Sequence, residues 1–259
     1  KTFNGFTQYF DEMLKEDVER FNRNVENGYI PKGSAAPFRA LRVANSVWKR
    51  EDLGADFKES YRDAVSRGYG AEYAAFTPEN AVRQINLWAS TKTEKMIENL
   101  LPDNYDTSGL AVVLMNALYF KDSWLSPFSS RLTKDGDFTT ENGGTVRKAF
   151  MKQTDTLDYY ADDETQLVIL PMEGGISMAF VLGSTAKLAE KVSAAELKKV
   201  TVTIPKLDLE SSFDHKELMS FLTENGVQKA FTGKADFSGM IDAAICVDDI
   251  IQKTRLTLD

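Results

Sequence analysis

Histidine and cysteine, which carry much of enzyme chemistry, each occur once in this chain of 259 residues. His215 stands at the predicted first turn of a helix, where a positively charged imidazole is poorly placed. Cys246 has apolar neighbours that are typical of a buried small side chain. One histidine and one cysteine argue against nucleophilic catalysis and against a structural zinc site. We therefore expect a protein that is not an enzyme and that holds neither a metal nor a cofactor.

Other catalytic patterns are equally weak. The stretch 175–179, GISMA, imitates a nucleophile elbow but lacks the second glycine and lies in a predicted strand. Neighbouring carboxylates are plentiful, yet none has the apolar surroundings that would raise a pKa for acid–base work. The classes left are an inhibitor, a carrier or chaperone, and an ordinary binding module.

Asn116 interrupts an apolar run from Val113 to Phe120. A run of this length predicts a strand that is covered on both faces. A buried amide without partners costs about 1 to 3 kcal/mol, so Asn116 needs a hydrogen-bond partner. A polar bridge inside a sheet is a candidate control point, and the alternative is a satisfied core asparagine without a function.

Charge and hydropathy exclude two further classes. The formal net charge is −8 and the isoelectric point is about 4.9, which argues against a nucleic-acid partner. No run of 18 or more apolar residues occurs, so no membrane-spanning helix is predicted. The hydrophobic content of 42% is ordinary for a soluble globular protein.

Periodicity predicts helices near the start of the chain and mostly strands after residue 111. Helices are predicted over 5–24, 55–68 and 77–100, one or two short helices over 186–199, and a further helix that follows residues 212–214 and runs through 222. Strands are predicted over 39–49, 111–122, 136–140, 146–153, 157–161, 165–172, 176–182, 200–209 and 247–258. Glycine-rich turns at 142–144 and 173–175 separate several of these strands. The order of elements indicates the α+β class.

The run 116–121, NALYFK, is followed by Trp124 and by Pro127-Phe128. This pattern resembles the central signature of the serpins, the serine protease inhibitor superfamily. Six matches in all follow one another in the order of the family, and together they are specific. The others lie at 41–46, at 85–88 with 92–94 and 100–102, at 204–206, at 234–239 and at 250–253.

The resemblance implies the serpin fold, which has a large mixed central β-sheet with additional sheets and surrounding helices. It implies a single domain over residues 1–259 that is incomplete at both ends. The first helices of the family would precede the chain, and the reactive-centre loop and the last strands would follow Asp259.

The function implied is inhibition of a serine-type endopeptidase by a suicide-substrate mechanism. After cleavage, the reactive-centre loop would insert into the central sheet between the strands at 111–122 and 247–258. The partner would be a serine protease, or a cysteine protease, and the protein would be a secreted or extracellular monomer. The alternative is a non-inhibitory serpin, a carrier, chaperone or storage protein of the same fold.

The resemblance also assigns roles to residues. Asn116 and Gln252 would form the sheet-opening region, and we expect them to interact across the closed slot, directly or through a neighbour. Many relatives carry histidine at the second position, and glutamine cannot titrate near neutral pH. Trp124 and Lys206 would lie where the slot begins. Four residues would lie on the helix that covers the sheet, namely Ile85, Asn86, Trp88 and Thr93.

Overall fold

The computed structural model describes residues 3–34, 40–140, 142–213 and 215–259. The helices are α1 Phe3–Glu26, α2 Glu59–Tyr69, α3 Pro78–Lys92, α4 Leu188–Ser193 and α5 His215–Glu224. The strands are β1 Ala40–Arg50, β2 Glu72–Phe76, β3 Val112–Lys121, β4 Lys134–Thr139, β5 Thr145–Ala161, β6 Thr165–Pro171, β7 Ser177–Gly183, β8 Glu196–Pro205, β9 Leu207–Phe213 and β10 Gln252–Leu258. The predicted mixture of helices and several sheets is confirmed.

Packing divides the described residues into two compact units. The first takes in 40–120 and 210–255 together with α1, and the second takes in 121–209 and 256–259. The expectation of a single domain stays a prediction.

A three-stranded sheet in the order β2-β1-β3 organises the first unit. β1 and β2 are parallel, with Ser46 opposite Glu72 and Arg50 opposite Phe76. Two clusters of buried side chains hold this unit together. The first comprises Trp48, Phe76, Ala81, Ile85, Leu101 and Met115 and joins α3 to the sheet. The second comprises Val47, Phe57, Ala71, Met240 and Ile241.

Helix α3 begins where the sequence predicts but ends earlier. Thr77 is its N-cap, Pro78 occupies its first turn, and the Thr77 N–H donates to Asn80 Oδ1 at 3.0 Å. The prediction that the helix continues to residue 100 is wrong, because Glu94 and Lys95 have φ angles of 49° and 64°. Two successive residues in the left-handed region cannot continue a right-handed helix.

Only one face of β3 is covered. Met115 and Tyr119 are buried at 8% exposure, whereas Leu114 and Leu118 are 61% and 59% exposed. The prediction of a strand covered on both faces is therefore wrong for the described part of the chain. Alternate side chains of a strand point to opposite faces, so Asn116 shares the open face with these two leucines.

An antiparallel sheet organises the second unit in the order β4-β5-β6-β7, with β8 paired to β5. The strands predicted at 146–153 and 157–161 form one continuous strand, β5, because β8 pairs with it from Phe150 to Tyr159. Met151, Leu167 and Leu170 are 1% exposed, and Leu167 and Leu170, three residues apart on β6, lie on opposite faces of this sheet.

Three other boundaries differ from the predictions. Strand β2 was not predicted, and the helix predicted over 186–199 is confined to α4 because β8 begins at Glu196. The strand predicted over 247–258 begins only at Gln252, where β10 pairs with β9. Residues 244–251 precede β10 without belonging to a named strand.

Candidate functional site at the free edge of strand β3

Strand β3 is the last strand of its sheet, and β10 belongs to a separate sheet with β9. A cavity of about 610 Å³ in the first unit has residues 109–115 on one wall and residues 244–251 on another. Further lining residues come from α3 and from the loops, namely Ile85, Leu100, Leu101, Tyr105, Phe237 and Met240. We call the space between residues 112–115 and 244–251 the gap. The edge of a strand offers backbone N–H and C=O groups to an added strand.

The two walls of the gap share one hydrophobic core. Met115 from β3 belongs to the buried cluster beneath α3, and Ile251 from the other wall packs against the same cluster. Val113 also packs there. The gap is therefore lined with apolar side chains that further burial would stabilise.

Asn116 is held by amide partners on β1. Its Nδ2 donates to Asn45 Oδ1 at 2.8 Å, with the Ala44 carbonyl at 3.5 Å, and Asn45 Nδ2 donates to the Tyr69 carbonyl at 2.8 Å. This chain of amides connects β3, β1 and the end of α2. Gln252 is exposed at the start of β10, and its interaction with Asn116 stays a prediction.

Segment 93–110, which follows α3, is fastened to the helix by Asn86. The Asn86 amide donates to the Leu101 carbonyl at 2.9 Å and accepts from the Leu101 N–H at 2.8 Å. Thr93, 1% exposed, caps the helix end by donating its hydroxyl to the Ala89 carbonyl at 2.7 Å, and the same oxygen accepts from the Ile97 N–H at 3.0 Å. Ile85 is buried at 2% and lines the gap.

The opposite side of α3 is fastened to β2 through Glu72. Lys92 Nζ donates to Glu72 Oε1 at 2.6 Å, and Trp88 Nε1 donates to Glu72 Oε2 at 3.3 Å. The hydrogen bond from Lys92 is the main reason that the pKa of Glu72 lies below its usual value. Lys92 also lies 6.0 Å from the centre of the Trp88 ring.

Among the described residues, two side-chain hydrogen bonds connect segment 93–110 with residues 249–253. Tyr105 Oη donates to Asp249 Oδ2 at 2.5 Å, and Lys253 Nζ donates to the Asn99 carbonyl at 3.0 Å. Lys253 is also paired with Glu210 on β9 at 2.6 Å. Burial raises the pKa of Tyr105, and the neighbouring Asp249 carboxylate raises it further, so the phenol stays a proton donor.

Trp124 and Lys206 lie in the second unit. Trp124, 8% exposed, forms a β-bridge with Met172 and has ring contacts with Phe128 and Phe180 at 6.0 and 6.1 Å. Lys206 is exposed after β8, and its N–H donates to the Ala149 carbonyl at 2.7 Å. The roles expected for these two residues stay predictions.

Sequence reasoning missed three residues of the site. Tyr105, Asp249 and Glu72 show no motif or spacing that marks them, because their partners lie 144, 144 and 20 residues away. A tyrosine among acidic residues in a loop reads as a surface residue.

Among the residues that the structure describes, no group of three or more His, Cys, Asp or Glu side chains is placed to hold a metal ion. No helix in the described ranges has the length and apolar character needed to cross a membrane.

A family model described as "Serpin (serine protease inhibitor)" matches residues 5–259. The chain belongs to the serpin family. A solved structure described as "Cleaved Serpin 42Da" superposes on this serpin with a TM-score of 0.76 at 22% identity, covering 85% of this chain and 63% of that one. This likeness shows the serpin fold.

Curated relatives agree with the family assignment. Leukocyte elastase inhibitor of Equus caballus is 31% identical over 97% of this serpin and 71% of its own length. Serpin B6 of Macaca fascicularis is 30% identical over 83% of this chain and 62% of its own length. An uncharacterized serpin-like protein of Methanosarcina mazei is 28% identical over 93% and 58%. The chain thus spans about 58 to 71% of these relatives.

Proposed function

We propose that the protein inhibits serine-type endopeptidases by suicide-substrate loop insertion. The protease cleaves a reactive-centre loop, which the resemblance places after residue 259. The cleaved loop then enters the gap as an additional strand beside β3. The observation that carries this proposal is the cavity of about 610 Å³ between the free edge of β3 and residues 244–251.

The physical gain comes from completing a sheet. An added strand pairs with the free edge of β3, and each new backbone hydrogen bond contributes about 0.5 to 1.5 kcal/mol net. Each apolar side chain that becomes fully buried against Met115 and Ile251 contributes about 1.5 to 3 kcal/mol. The filled form is therefore more stable than the open form, and this difference drives distortion of the attached protease.

Relatives support a protease as the partner. Two of them have names that state inhibition, the leukocyte elastase inhibitor and the macrophage plasminogen activator inhibitor 2 of Mus musculus, the latter 32% identical over 77% of this chain and 53% of its own length. Serpins are mostly inhibitors rather than enzymes. We propose a serine protease, or a cysteine protease, as the target, and an extracellular monomer as the acting form.

The test uses the whole polypeptide that contains this chain. It is incubated with a panel of chymotrypsin-like and subtilisin-like proteases, and the mixture is run on a denaturing gel. We expect a covalent complex with at least one protease that survives SDS. Cleavage of the loop by several proteases without any complex would support the non-inhibitory alternative and overturn the proposal.

A further inference from the structure

One hydrogen bond beside the gap joins segment 93–110 to residues 244–251. Tyr105 belongs to segment 93–110 and Asp249 to the other wall, and both line the cavity. The Oη–Oδ2 distance of 2.5 Å is that of a charge-assisted O–H···O⁻ bond, about 2.5 to 2.7 Å. Such a bond is stronger than a neutral one and is worth more in a half-buried site.

The side of segment 93–110 away from Asp249 is fixed. Asn86 holds Leu101 through two hydrogen bonds, and Thr107 Oγ1 donates to the Pro78 carbonyl at 2.8 Å. Arg50 Nη1 donates to the Ser108 carbonyl at 3.0 Å. The segment is therefore tied to α3 and β1 at several points before and after Tyr105.

We propose that the Tyr105–Asp249 hydrogen bond is a latch that holds segment 93–110 to residues 244–251 and sets the rate at which the gap opens to a strand. The inference rests on the proposed function, since the gap must admit a strand for the latch to control insertion. Widening the gap moves Asp249 away from Tyr105, whose segment is held by α3 and β1. The bond breaks during opening, so removing it lowers the barrier.

Lys253 also makes a side-chain hydrogen bond to this segment, but its geometry differs. Lys253 is shared between the Asn99 carbonyl and Glu210, and neither Lys253 nor Asn99 lines the cavity. A long lysine side chain with a second partner can follow a moving wall more easily than a tyrosine ring can. The latch is therefore assigned to Tyr105 and Asp249.

The variants test the hydrogen bond between the Tyr105 hydroxyl and the Asp249 carboxylate. Tyr105→Phe removes the donor and keeps the ring, and Asp249→Asn keeps an acceptor oxygen but removes its charge. Tyr160→Phe is the matched control, because Tyr160 Oη donates to Asp162 Oδ2 at 2.9 Å in the second unit. Thermal unfolding of each variant checks that it is folded.

Two readouts are measured on the whole polypeptide that contains this chain. The first is hydrogen exchange of the amides at 101 and 105, which donate to Asn86 Oδ1 and to the Pro102 carbonyl. The second is the uptake rate of a fluorescent twelve-residue peptide in which Val and Ala alternate with Thr and Glu. We expect Tyr105→Phe to accelerate both about tenfold, Asp249→Asn to lie between it and the parent, and Tyr160→Phe to change neither.

The outcomes separate the latch from the proposed function. Unchanged exchange in Tyr105→Phe overturns the latch, whatever the peptide does. Faster exchange with unchanged uptake also overturns it, because the bond then holds the segment without controlling the gap. If the parent polypeptide takes up no peptide, the latch is overturned, because there is then no strand insertion for it to control; the proposed function itself fails only if no protease forms an SDS-stable complex.

Discussion

In the second unit each strand of the five-stranded sheet runs beside an antiparallel partner, whereas in the first unit the sheet of β2, β1 and β3 stops at a strand edge that borders a cavity. The five-stranded sheet of the second unit pairs its backbone groups and buries side chains such as Met151 at 1% exposure. The sheet of the first unit leaves backbone groups of β3 available for an added strand.

We interpret this difference as a division between a part of the chain that supplies stability and a part that serves the proposed function. Proteins usually protect a free strand edge, because it invites pairing with other chains. Here residues of segment 93–110 line the cavity beside that edge, and the segment is bonded to α3 by Asn86, to Asp249 by Tyr105 and to β10 by Lys253. We interpret the second unit as the stable frame and the edge of β3 as the part that changes.

The largest expected difference between the two units is in the loss of unfolding free energy when a leucine is truncated to alanine. Leu167→Ala, at a side chain with 1% exposure, should lower the free energy of unfolding by about 2 to 5 kcal/mol. Leu118→Ala, at 59% exposure on β3, should lower it by less than about 0.5 kcal/mol. Urea unfolding measures both, and a loss above about 2 kcal/mol for Leu118→Ala would contradict the open face of β3.

A smaller loss of stability is expected when the hydrogen bond between Asn116 on β3 and Asn45 on β1 is removed. Asn116→Ala removes the bond to Asn45 and should cost about 0.5 to 1.5 kcal/mol, because the pair is exposed to water. Asn225→Ala, which removes a 2.8 Å bond to the Phe221 carbonyl within one helix end, is the control and should cost no more. Equal urea midpoints for Asn116→Ala and the parent chain would show that this bridge does not hold β3 to β1.

The smallest effect concerns the fastening of α3 to β2. The folded-state pKa of Glu72 is lowered, so its stabilising contribution is present above the unfolded pKa, about 4.3, and is lost as the pH falls through the folded pKa. Glu72→Gln should therefore cost at most about 1 kcal/mol at pH 7, discounted for exposure, and nothing near pH 2.

A double-mutant cycle with Lys92→Met isolates the Glu72 pair. The coupling between the two substitutions should be present at pH 7 and absent near pH 2. A coupling that is unchanged between these pH values would contradict the electrostatic origin of the fastening.

The sequence predicted those parts that depend on local signals. Thr77 and Pro78 mark the start of α3, and the α+β class and serpin fold follow from the order of elements and the quoted motifs. The end of α3 was predicted wrongly. No local sequence signal marks the contacts of Asn86 with Leu101 or the left-handed conformations of Glu94 and Lys95.

Side-chain burial and contacts between distant residues could not be predicted from the sequence. An apolar run such as 113–120 reads the same whether one face or both are covered, so the exposure of Leu114 and Leu118 was not predictable. Tyr105 and Asp249 are 144 residues apart, and only the fold brings them together.

The measurement that tests the free edge of β3 most directly is thermal unfolding of the 259-residue chain after prolonged incubation with the alternating peptide. Filling the gap should contribute several kcal/mol, and each kcal/mol raises Tm by about 2 to 4 °C at this size, so we predict an increase of about 10 °C. A peptide with proline at alternate positions, which cannot complete a ladder, should leave Tm unchanged. An unchanged Tm with the alternating peptide would contradict the claim that the edge of β3 accepts an added strand.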